Sequence, residues 1–64
     1  MTFNLEDHVV LVTGGAKGIG AAIVRALAGE GAVPVIVDRD HAATAEIARE
    51  LTSSGARVET VIAE

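Results

Sequence analysis

Sixty-four residues, half of them hydrophobic, with no Cys, a single aromatic side chain and a formal net charge of -4, can build at most one small domain. The acidic balance argues against a nucleic-acid partner, which is gripped by clustered Lys and Arg, and the lack of Cys removes disulfides and thiolate-bound zinc. His8 and His41 lie in different segments, and residues 1–7 carry neither a basic region nor an apolar run, so no metal site, signal peptide or membrane span is expected and a cytoplasmic location is.

Val9, Val10, Leu11 and Val12 form a short β-branched run ending at Gly14 and Gly15, the pattern of a strand covered on both faces. From Gly18 to Glu30, Ile19, Ile23 and Leu27 recur every four residues with Ala22 and Ala26 beside them, which predicts a helix packing that stripe on a sheet. Gly31 then ends the helix in a left-handed conformation. A second apolar run follows from Val33 to Val37, with Pro34 near its start, and stops at Asp38, Arg39 and Asp40. Asp40 is the expected N-cap of a second helix carrying Ala43, Ile47 and Leu51 on one face, closed by Ser53, Ser54 and Gly55. A third strand is expected from about Arg57 to Ala63.

Strand, helix, strand, helix, strand in this alternation implies an α/β fold with a parallel sheet and right-handed crossovers. In the strand order 3-2-1 both helices cover one face and the other is bare, although the first two strands are apolar on both sides. The expected architecture is therefore the N-terminal βαβαβ half of a Rossmann doubly wound sheet. Residues 1–64 would be a partial dinucleotide-binding domain, a fragment of a longer single-domain protein.

The segment from Thr13 to Gly20 joins the first strand to the first helix, and its glycines meet different needs. Gly14 permits the turn out of the strand, Gly18 lets backbone approach a pyrophosphate, and Gly20 lets the helix sit close to the sheet. The helix N-terminus offers free N–H groups to an anion. A Walker A loop is excluded, because Ala21 and Ala22 stand where Lys and a hydroxyl residue are required after Gly15 and Gly20. Reading Gly18 and Gly20 as the start of G-x-G-x-x-G fails as well, since Ile23 takes the place of the third glycine.

The observed spacing, Thr13-Gly14-x-x-x-Gly18-x-Gly20, resembles the loop of the short-chain dehydrogenase/reductase family. The resemblance continues through residues 28–32 to the acidic end of the second strand. It implies an oxidoreductase that moves hydride between NAD(P) and an alcohol or ketone, and a homo-oligomer for the full-length protein. Sugar alcohols, hydroxysteroids and 3-oxoacyl thioesters are all open as substrates. The implied cofactor-binding residues are Thr13, Gly14, Lys17, Gly18, Ile19, Gly20, Asp38, Arg39 and Glu64.

Asp38 stands eighteen residues beyond Gly20, near the separation at which a carboxylate accepts from the adenine ribose, and it would repel a 2'-phosphate. NAD is the expected cofactor. In the family, basic residues where Lys17 and Arg39 stand often grip that phosphate, so NADP stays open as the alternative. Glu64 falls where relatives carry an Asp that bonds the adenine amino group. The resemblance also implies catalysis by a Tyr, a Lys four residues on, a Ser and an Asn. This chain has no Tyr, and Asn4 precedes the first strand, so no catalytic residue is expected here. A non-catalytic nucleotide-binding or interaction module is the competing function, and the bare sheet face counts against it.

Overall fold

The computed structural model describes residues 6–63. Its elements are β1 (Val9–Thr13), α1 (Gly18–Gly29), β2 (Val33–Asp38), α2 (His41–Ser53) and β3 (Glu59–Ile62). The boundaries follow from local chemistry. Gly31 (φ +84°) and Gly55 (φ +89°) take the left-handed conformation just past the two helices, where any other residue would be strained. Asp40 caps α2, its Oδ1 accepting from the Ala43 amide at 2.9 Å.

The three strands are parallel in the spatial order β1-β2-β3, an incomplete Rossmann-type sheet with β2 in the centre. Val12 stands beside Ile36 and Thr13 beside Val37, while Asp38 pairs with Ile62 on the other side. The strand period of two then sorts the side chains. Val12, Pro34 and Ile36 lie under the helices, where Ile36 and Val24 are wholly buried against Ala21, Ile47 and Leu51. Each such branched side chain contributes about 1.5–3 kcal/mol on burial. The opposite face has no layer among the described residues, and Val9 and Leu11 remain 65% and 68% exposed there.

One expectation is corrected. The face of α1 that packs on the sheet is Ala21, Val24, Leu27 and Ala28, whereas Ile19 is 82% exposed and Ile23 47%. A four-residue spacing overshoots the full circle by about 40° at each step, so the Ile19–Ile23–Leu27 row winds around the helix and only its last member reaches the core. Small Ala21 at the contact lets α1 approach β1 and β2. Across the helix pair, Arg25 of α1 makes two bonds to Glu50 of α2, at 2.7 and 3.0 Å. Both side chains are half exposed, so the pair fixes orientation more than it adds stability.

Candidate dinucleotide-binding site

Parallel strands place the C-terminal ends of β1 and β2 side by side, and two loops leave the sheet there. The loop after β1 turns at Gly14 (φ +67°), whose amide donates to Val37 O at 2.7 Å and so extends the β1–β2 ladder by one bond. Gly15, which has no role in the family's glycine spacing, is buried. A Cβ on it would stand 2.9 Å from Val12 O and 3.1 Å from Val24 Cγ2, so this glycine closes the gap between β1 and α1. No spacing rule marks such a packing glycine.

Gly20 lies against the loop itself rather than the sheet. A Cβ there would overlap the Gly14 carbonyl oxygen and stand 3.0 Å from the Gly15 Cα, so α1 can begin against the loop only with glycine in place. Gly18 has φ +57°, and a Cβ built on it meets nothing within 4 Å. The space beside Gly18 is open. Its glycine is needed for the backbone conformation and leaves room where a ligand can come close.

Lys17 occupies the N-cap of α1 and its side chain makes no cap hydrogen bond. The positive end of this twelve-residue helix is therefore left to an anion, in contrast to α2, which Asp40 caps. The site thus fits a pyrophosphate: a glycine loop without side chains in the way, and a helix N-terminus without an internal acceptor.

At the end of β2 the Asp38 carboxylate accepts from the Asp40 amide at 3.1 Å through Oδ1 and from the Ala16 amide at 3.2 Å through Oδ2. These bonds hold its carboxyl below the usual aspartate range, the Asp40 amide contributing most, with burial opposing and Ala16 adding to the effect. Asp38 is thus an ionised acceptor in a set position, and each oxygen retains a further lone pair. Beyond the ribose role expected of it, Asp38 thus bonds across the two loops. Nothing in local spacing reveals a contact with Ala16.

Lys17 Nζ lies 3.0 Å from Asp40 Oδ2. That hydrogen bond, and then the Asp40 charge, raises the Lys17 pKa above its ordinary value, while Asp40 is lowered by the Ala43 amide first and by Lys17 second. Arg39 is exposed beside them, as is Ile19 on the first turn of α1. Thr13 ends β1 at the same edge. The described structure thus brings Thr13, Gly14, Lys17, Gly18, Ile19, Gly20, Asp38 and Arg39 to one end of the sheet, and Glu64 lies outside the described residues. No described helix is long and apolar enough to cross a membrane.

The chain is 39% identical over 62 residues to an uncharacterized oxidoreductase of Mycobacterium tuberculosis, covering 97% of this chain and 24% of that protein. It is 56% identical over 51 residues to the L-fucose dehydrogenase of Bos taurus, covering 80% of this chain and 19% of that one. Among solved structures, a metagenomic short-chain oxidoreductase in complex with NADP matches with a TM-score of 0.88 and 35% identity, over 97% of this chain and 28% of that one. The chain therefore spans about a quarter of the length of these relatives. The family model described as short chain dehydrogenase matches residues 8–64, and with the glycine loop, the parallel sheet and the acidic β2 end in place, the chain belongs to that family.

Proposed function

We propose that this chain is the segment of a nicotinamide-dependent oxidoreductase that binds the cofactor's pyrophosphate and adenosine, with NAD as the favoured dinucleotide. Thr13, Gly14, Lys17, Gly18, Ile19 and Gly20 form the pyrophosphate side, Asp38 and Arg39 face the adenine ribose, and Glu64 is assigned to the adenine. In the intact protein, residues 1–64 are one half of a doubly wound domain. The remainder supplies the catalytic groups and the pocket for an alcohol or ketone, and the whole is a cytoplasmic homo-oligomer. The uncovered sheet face and the length of the relatives support this division.

The single observation that carries the cofactor reading is the pinned Asp38 carboxylate beside an uncapped helix N-terminus. A ribose diol donates two hydrogen bonds to such an acceptor, whereas a 2'-phosphate brings negative charge against it. The NADP held by the metagenomic relative supports the nicotinamide class, and Asp38 supports NAD within it.

The test is Asp38→Ser in the intact protein, read as the ratio of kcat/KM for NADP to that for NAD. Because Ser also loses the bond to Ala16, the ratio is the readout rather than the absolute rate. Removing the repulsion beside the exposed Arg39 should move the ratio toward NADP by roughly thirty- to a thousand-fold. A wild type that already prefers NADP, or a ratio that does not move, overturns the assignment.

A further inference from the structure

Asp40 uses its two carboxylate oxygens for two separate tasks. Oδ1 caps α2 through the Ala43 amide at 2.9 Å, and Oδ2 meets Lys17 Nζ at 3.0 Å. The cap orients the carboxylate, so one member of the ion pair is already ordered before Lys17 reaches it. Lys17 comes from the N-cap of α1, directly after Ala16, whose amide bonds Asp38. Lys17 and Asp38 therefore flank the same edge of the site. Around Asp38 the structure thus gathers a second carboxylate, Asp40, whose amide donates to Asp38, with Lys17 engaged by that second carboxylate and Arg39 exposed next to both in sequence.

We propose that Asp40 is a positioning residue for cofactor choice: by holding the Lys17 ammonium it withholds that cation from a 2'-phosphate and keeps the site selective for a dinucleotide with a free 2'-hydroxyl. The inference rests on the dinucleotide reading above. It adds a residue that does not touch the ribose and acts through Lys17. A 2'-phosphate must compete with Asp40 for Lys17, while a 2'-hydroxyl has no such competition. The Lys17 side chain is 66% exposed, so the ammonium is accessible to a ligand once its partner is removed.

The experiment measures dissociation constants of NAD and NADP for the intact wild type, Asp40→Asn, Lys17→Ala and the double variant. Asn caps helices as well as Asp and keeps the shape while removing the charge. Asp40→Asn should shift the affinity ratio toward NADP by about three- to fivefold, and by less than about 1.5-fold when Lys17 is already Ala. That dependence on Lys17 is what a merely structural role would not produce. An unmoved ratio overturns the proposal, and so does an equal shift with and without Lys17, since Asp40 would then act only as background charge. A wild type that binds neither dinucleotide overturns the site reading and the proposal together, whereas binding with an unmoved ratio overturns the proposal alone. If Asp40→Asn lowers the thermal midpoint, Asp40→Ser, another good N-cap, carries the same measurements.

Discussion

The carboxylate of Asp38 accepts a hydrogen bond from the Ala16 amide at 3.2 Å, twenty-two residues earlier, and so ties the end of β2 to the glycine loop after β1. Its other oxygen holds the Asp40 amide at 3.1 Å, so one ionised group sets the relation between the two loops that flank the site.

This makes the loop pH-sensitive in a definite direction. The Asp38 carboxyl is lowered by the Asp40 amide and, after a smaller opposing effect of burial, by Ala16. A folded-state pKa below the unfolded value contributes stability that is present above the unfolded value, about 3.9, and is lost as pH falls through the lower folded one. Slowed amide exchange at Ala16 and Asp40 should thus persist through mildly acidic solution and disappear only below the ordinary aspartate range. In Asp38→Ala that protection should be absent at every pH, measured residue by residue by hydrogen exchange.

The glycine loop separates a binding role from a folding role. Gly18→Val introduces a side chain into open space at φ +57°, so the folded state should lose only about 1–2 kcal/mol from backbone strain. Binding of both NAD and NADP should nevertheless fall below detection, because the added branch takes the pyrophosphate's place. Gly20→Ala should do the reverse in order of cause, unfolding the α1 start by on the order of 2–3 kcal/mol through overlap with the Gly14 carbonyl. Chemical denaturation and calorimetric titration of the two variants distinguish the cases.

Thr44 is 2% exposed on the inner face of α2, and its Oγ1 has no hydrogen-bond partner among the described residues. Valine has nearly the same shape without the hydroxyl, so Thr44→Val should raise stability by about 1 kcal/mol, read as a higher Tm with cofactor affinity unchanged. A fall in Tm would show that the hydroxyl is satisfied in the intact protein.

The uncovered sheet face sets the behaviour of residues 1–64 on their own. Val9 and Leu11 are about two-thirds exposed and Val61 is 48% exposed, on a sheet whose β1 edge is unpaired among the described strands. The 64-residue chain should self-associate or melt without a sharp transition, as followed by sedimentation and circular dichroism against temperature. A monomer with a single cooperative transition would contradict this.

What could be read from the sequence by itself was whatever is decided within a few neighbouring residues. The left-handed Gly31 after α1 and the turn at Gly14 follow from backbone sterics, the Asp40 cap from its place before an apolar-periodic segment, and the parallel order from two crossovers of one hand. The tertiary structure alone decided which side of α1 is buried, since Ile19 and Ile23 are as apolar as Val24 and only the crossing of helix and sheet picks Ala21 and Val24. It also decided that Gly15 is a packing residue, that Asp38 joins two loops, and that Lys17 is held by Asp40. Each of these is a meeting of side chains or amides from separate elements, and such distances are set by packing of the whole sheet, which no short spacing encodes.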